Sequence, residues 1–263
     1  MIKEIHCFGT SFTAGGGFEW EAPHKKLMLA NYYSETPFTQ FNYSWPGQLQ
    51  NIIGNSIKVF NHAKNGFGND RMYRKTFDVI ESSEKLDDKL FIYEFSGLQR
   101  KEIYSNTFKK HLIVNYTFEE DGSNWVTGIT DRYFITDVGV ENQLRPVVEP
   151  YFKETIDFFV EQKLIDQQAE YFVDYLIHNQ INFLVIDSPR YQKTENKVRP
   201  YTIDFGNGLT NVVDFSMRNE LTITHETKGG IVDGHGGLKW AKHVAKKVAI
   251  NFNLLKTNNS SII

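Results

Sequence analysis

The apolar positions of Ile2-Lys-Glu-Ile-His-Cys-Phe8 form a short run that stops at Gly9, the pattern of a buried strand. Three later runs share it: Ile57–Asn61, Lys89–Phe95 and Asn182–Asp187. Each is brief, rich in β-branched or aromatic residues, and closed by Asn, Gly, Ser or Pro. Between them the spacing becomes helical. Trp45–Ile53 follows Ser44, a suitable N-cap, and carries Pro46 in the first turn, where a missing N–H costs nothing. Asp70–Ser82 sets Met72, Phe77, Val79 and Ile80 towards one side. From Pro150 to His178, a stripe of Phe152, Ile156, Phe159, Val160, Leu164, Ala169, Phe172, Val173 and Leu176 predicts one long helix. A last helix, Leu238 to Phe252, places Leu238, Ala241, Ala245, Val248 and Phe252 on one face. Lys239, Lys242, Lys246 and Lys247 flank that face as a solvated edge.

This alternation of strand and helix predicts an α/β fold, a three-layer α/β/α sandwich around a mostly parallel five-stranded sheet. One domain spans residues 1–255, with insertions at 14–44, 104–149 and 188–230 and a flexible tail over 256–263. The second insertion contains two candidate antiparallel strands, Leu112–Phe118 and Tyr133–Thr136.

Composition narrows the function classes. The chain has 263 residues, with 29 Lys+Arg against 32 Asp+Glu, a balance that excludes a polycationic nucleic-acid binder and a charge-expanded disordered chain. Its single cysteine, Cys7, excludes an internal disulfide framework. The charged residues among the first eight interrupt any signal-peptide core, and no run approaches the ~20 apolar residues that span a bilayer. The expected location is therefore cytoplasmic, with no membrane and no nucleic acid as partner; a virion component would look the same.

Ligands of open α/β sheets bind beyond the carboxyl ends of the strands. The first end reads Gly9-Thr-Ser11-Phe-Thr13, offering Ser11 as a nucleophile or, more plainly, as a helix cap. The second, Asn61-His-Ala-Lys-Asn-Gly66-Phe-Gly68, presents glycines whose N–H groups can face a ligand, as an ordinary strand-to-helix turn also does. The third continues as Gly97-Leu-Gln99-Arg100. Before the last helix stands Asp233-Gly-His235, in which the aspartate can orient the imidazole. Competing chemistries fail: no Walker A sequence is present, and Arg71 replaces the third glycine after Gly66-x-Gly68. The histidines lack zinc-ligand spacing, so no metal or cofactor is expected. His6 and Cys7 are expected to pack within the first strand, and Asp187 and Asp204 to cap or face solvent.

In this order the four strand-end segments resemble the SGNH (GDSL-type) hydrolase superfamily, whose blocks supply Ser, Gly, Asn and His in turn. The resemblance covers the core strands and helices but not the insertions, and implies the flavodoxin-like SGNH fold. It implies an esterase-like hydrolase with an acyl-serine intermediate on Ser11, His235 as base and Asp233 as its orienter. The oxyanion hole would comprise the N–H groups of Ser11 and Gly66, with Gly68 as alternative, and the Gln99 amide. Two positions depart from the family pattern. Thr10 stands where an aspartate usually precedes the nucleophile, and Gln99 stands for the usual asparagine. Aromatics of the first insertion (Trp20, Tyr32, Tyr33, Phe38, Phe41, Tyr43 and Trp45) suit either sugar faces or packing of the insertion onto the sheet. With Arg100, Trp20, Tyr43 and Trp45 are the candidate substrate contacts, for an O-acylated glycan or a small ester. Ser44-Trp-Pro-Gly-Gln48 and the unusual first block are similar to SGNH-type proteins of tailed bacteriophages. The competing reading keeps the fold without catalysis, as a virion or glycan-binding component; a homo-oligomer accords with either.

Overall fold

A computed structural model describes residues 1–15, 38–64, 66–96, 100–118, 124–130, 138–186, 201–203 and 238–252. In chain order the first elements are β1 (Glu4–Phe8), α1 (Ser11–Ala14), α2 (Phe38–Tyr43), α3 (Trp45–Ile53), β2 (Lys58–Asn61), α4 (Asn69–Glu81) and β3 (Lys89–Glu94). There follow β4 (Arg100–Ser105), β5 (Lys110–Phe118), β6 (Asn124–Thr130), α5 (Val138–Thr155), α6 (Phe158–His178), β7 (Asn182–Ile186) and α7 (Leu238–Asn251).

The strands expected at the start of the chain, and near residues 57, 89 and 182, all form. They make a parallel sheet of order β2-β1-β3-β7. That sheet has four strands, where five were expected. Beside β7 the described chain supplies only residues 201–203: Thr202 makes one parallel bridge to Val185, and Ile203 N donates to Val185 O at 2.8 Å.

Strand alternation explains why β1 reads as a nearly continuous apolar run: both faces are covered. Ile5 and Cys7 point to a core with Trp45 and Leu49 of α3 and Trp240, Val244 and Val248 of α7. Phe8 points to the other core, with Met72 of α4 and Ile165, Ala169, Phe172, Val173 and Leu176 of α6. α3 runs as its sequence predicts, with Ser44 Oγ accepting from Gly47 N at 3.3 Å. The α7 lysines 239, 242 and 246 are exposed, while Trp240 and Val248 are buried.

The expected single helix over Pro150–His178 is two helices. Ile156 and Asp157 separate them, and Asp157 Oδ1 caps α6 by accepting from Phe159 N at 2.9 Å and Val160 N at 3.0 Å. The stripe continues across the break because it serves two cores. Phe152 and Ile156 join β5, β6 and α5, whereas Ile165 onward joins the parallel sheet. Phe159 and Val160, expected within the stripe, are 78% and 54% exposed because they belong to the new first turn.

The second insertion is an antiparallel sheet, β4-β5-β6, packed on α5 through Val114, Tyr116, Val126, Val148 and Phe152. It begins at Arg100, earlier than expected; β5 contains the predicted Leu112–Phe118, and Tyr133–Thr136 lies outside the described residues. Ions fasten it to the parallel layers. Arg74 grips Glu102 at 2.9 and 2.7 Å, Lys101 meets Glu161 at 2.8 Å, and Glu102 N donates to Asp70 Oδ2 at 3.0 Å. Among the described residues no helix is long and apolar enough to cross a membrane.

On the α4/α6 face of the sheet, His6 and His62 share one hydrogen bond, Nδ1 to Nε2, at 2.9 Å. The His62 ring stacks on Phe8 at 4.8 Å, and the His6 ring on Phe60 at 4.9 Å. Burial, reinforced by His6, Arg71 and Lys75 and opposed by Asp78, pushes the His62 pKa down to about 3. On the far side of His6, Nε2 meets Glu4 Oε2 at 3.2 Å, and that carboxylate oxygen also accepts from Lys89 Nζ. The unfolded chain binds a proton at His62 near pH 6.5, which the native state refuses until about pH 3. Between those values the unfolded state holds more protons at this site, so the contribution of His62 to stability falls as pH falls, by up to about 1.4 kcal/mol per pH unit. Urea titrations from pH 7 to 4 should show this slope and show it flattened in His62→Gln. An identical slope in the variant would assign the acid sensitivity elsewhere.

Candidate functional site

The parallel register sets Cys7 beside Asn61 and Phe8 beside Tyr93, so the loops after β1, β2 and β3 open on one rim. The first loop is unusually well held. Thr10, the N-cap of α1, is extended (φ −98°, ψ −151°), yet its hydroxyl bonds no helix N–H. It donates instead to Glu94 Oε1 at 2.5 Å. Glu94 Oε2 accepts from Thr13 N at 2.8 Å and from Thr13 Oγ1 at 2.5 Å. The last residue of β3 thus caps a helical turn whose own N-cap side chain does not.

Thr13 is the node of this arrangement. Its hydroxyl accepts from Trp45 Nε1 at 3.2 Å while donating to Glu94, and its carbonyl accepts from Asn61 Nδ2 at 2.9 Å. Thr13 is 0% exposed and Glu94 1%. Burial raises the Glu94 pKa, and the Thr10 and Thr13 donors pull it back. Gly9 is needed for contact: a Cβ there would lie 2.8 Å from both Cβ and Oε2 of Glu94. Ser11, the first residue of α1, stands between the two clamped threonines and is 3% exposed.

The second loop is tied to the first by Asn61, whose Oδ1 also accepts from Ala63 N at 3.1 Å. Gly66 has φ 82°, a left-handed conformation that a β-carbon resists, and is buried. Beyond it, Asn69 opens α4 and bonds reciprocally to Ser96: Asn69 Nδ2 donates to Ser96 O at 3.2 Å and Ser96 N to Asn69 Oδ1 at 2.6 Å. That pair joins the start of α4 to the chain leaving β3. Arg100 follows closely, its carbonyl 2.7 Å from where a Cβ on Gly68 would stand.

Of the residues singled out by sequence, Ser11 and Gly66 therefore occupy the same rim, with Arg100 near the second loop. Tyr43 is half-buried at the end of α2. Trp45 is not at the surface: it is 1% exposed, packed between sheet and α7, with its N–H donated to Thr13. Asp233, His235, Gln99 and Trp20 lie outside the described residues. The chain that follows His235 is visible from Leu238, and the Trp240 ring lies 6.0 Å from that of Phe12, next to Ser11. Among the described residues, no group of three or more His, Cys, Asp or Glu could hold a metal ion.

Sequence reading missed Glu94, Thr13 and Asn69. The available signal for Glu94 was one acidic residue closing a strand otherwise buried on both faces, Lys89-Leu-Phe-Ile-Tyr-Glu94. No protein-family model matches the chain, and no match is found among curated proteins or solved structures.

Adding a methyl group at Gly9 forces Glu94 and the Gly9–Thr13 loop apart. Gly9→Ala should cost about 1–3 kcal/mol of stability, the usual penalty for overpacking. Urea denaturation measures it, and a variant as stable as wild type would mean that the loop is not pressed against Glu94.

Proposed function

We propose that this protein is an SGNH-type serine esterase, with its α/β layers completed as the five-stranded, flavodoxin-like form of that fold. The observation that carries the reading is the contact between Phe12 and Trp240. It joins the loop bearing Ser11 to the first turn of α7, whose preceding residues include Asp233 and His235. With Ser11 and Gly66 on one rim, the groups for acyl transfer come from blocks at both ends of the chain.

In the reaction His235 takes the Ser11 proton as Oγ attacks the ester carbonyl, and Asp233 holds the imidazole in the required tautomer. The oxyanion accepts hydrogen bonds from the N–H groups of Ser11 and Gly66 and from the Gln99 amide. One such donor is worth about 3 kcal/mol in the transition state. Collapse expels the alcohol with the proton from His235, and water then releases the acyl group from Ser11. The substrate we favour is an O-acylated glycan, contacted by Trp20, Tyr43 and Arg100; the burial of Trp45 removes it from that set.

Ser11→Ala should fold normally and lose about three orders of magnitude or more in hydrolysis of a short acyl ester. A fluorophosphonate probe should label wild type at Ser11 and leave the variant unlabelled. Wild type that neither hydrolyses esters nor takes the label supports the non-catalytic, glycan-binding alternative.

Gln99→Ala tests the oxyanion assignment separately. Its kcat should drop about a hundredfold with KM nearly unchanged, the mark of a contact made in the transition state. Turnover at the wild-type rate would remove Gln99 from the site.

A further inference from the structure

We infer that Glu94 is a positioning residue for Ser11, setting the nucleophile's geometry from a neighbouring strand. The inference rests on the serine-esterase reading and adds to it a residue that the resemblance does not assign.

Three contacts carry it. Glu94 Oε1 takes the Thr10 hydroxyl, and Oε2 takes both the backbone N–H and the hydroxyl of Thr13. These two threonines are the residues before and two after Ser11, so the carboxylate grips the turn on either side of the nucleophile. The two oxygens of one planar group fix both the height and the tilt of that turn relative to β3. The N–H of Thr13 is among the first of α1, which has no partner within the helix. Thr10, as N-cap, would ordinarily accept such an N–H, but its hydroxyl is turned to Glu94 instead.

The surroundings press on the carboxylate and on its partner Thr13. Gly9 brings the backbone against it, so that a Cβ would come within 2.8 Å of Oε2. Thr13 is itself held from behind by Trp45 Nε1 and Asn61 Nδ2. Thr10 occupies the place where the family pattern has an aspartate, and the structure brings a carboxylate to its side chain from β3. Glu94 acts on the turn through Thr10 and Thr13, the residues that flank the Ser11-Phe12 pair.

Glu94→Gln keeps the shape and one acceptor oxygen but converts the other oxygen into an NH₂ donor. That donor meets a threonine hydroxyl and must reverse its bond. Thr10→Val deletes one of the three contacts without changing the side-chain volume much. Both should be purified as full chains and assayed with p-nitrophenyl acetate, with active sites titrated by a fluorophosphonate. The expected result for Glu94→Gln is a fall of about 10- to 100-fold in kcat per titrated Ser11, the scale of a small misplacement of a reacting group. Its phosphonylation rate should fall in parallel and KM should hardly move. Thr10→Val should fall less, in the same direction.

If Glu94 served stability alone, the titratable fraction and the melting temperature would drop while kcat per titrated site stayed at the wild-type value, and the inference would be wrong. Should Glu94→Gln fail to fold, Thr10→Val decides: folded variant with wild-type kcat overturns the role. Wild type that is inert to both ester and fluorophosphonate ends the esterase reading and this inference together, whereas active wild type with an equally active Glu94→Gln ends only the inference.

Discussion

A carboxylate buried at the end of β3 must find donors or forfeit its hydration, a loss of several kcal/mol that no apolar contact replaces. Glu94 finds them on the loop after β1 and nowhere else among its described partners. The dependence is mutual. Moving the loop would strand the acid, and moving the acid would leave the Thr13 amide without a partner in a site closed to water. Thr13 then passes the restraint on, through its hydroxyl to α3 and through its carbonyl to β2. One side chain thus fixes the relative positions of three strand ends and a helix, and Gly9 follows as a steric necessity.

The parallel layers were legible from the sequence because their strands are buried on both faces and their helices on one. β1, β2, β3 and β7 agree with the runs read from residues near 2, 57, 89 and 182, and α3 agrees at both ends. The break between α5 and α6 was not legible, because Ile156 sustains the apolar stripe while packing into a different core from Ile165. Trp45 shows another limit. An aromatic in a loop-rich segment reads alike whether it will stack on a sugar or fill the space under a sheet, and only burial separates the two. Of the site, Ser11 and Gly66 were visible as residue types at strand ends. Glu94 was not, since an acid at the edge of an apolar run ordinarily marks the return to solvent, and no local pattern announces that its donors lie eighty residues back.

The two halves of the molecule are held by different forces. Helices meet the parallel sheet through apolar side chains, without direction and over a wide area. The antiparallel unit of β4, β5, β6 and α5 has an apolar core of its own and meets α4 and α6 through Arg74–Glu102 and Lys101–Glu161, whose acidic partners are almost fully buried. Such pairs tolerate little displacement, because each acid left alone would be a buried, unneutralised charge. The unit is therefore seated with a definite orientation, its first residue Arg100 pressed against Gly68, and the insertion forms one wall of the rim.

The cover over β1 has a consequence for biosynthesis. Ile5 and Cys7 face Trp240, Val244 and Val248 of α7, which is synthesised long after β1. Until then the central strand can pair with β2 and β3, but that face of the sheet has α3 alone over it and leaves part of its apolar surface open. Nascent chains shorter than about residue 240 are accordingly the aggregation-prone species for this fold, and chains cut before α7 should be chaperone clients where deletions in surface loops are not.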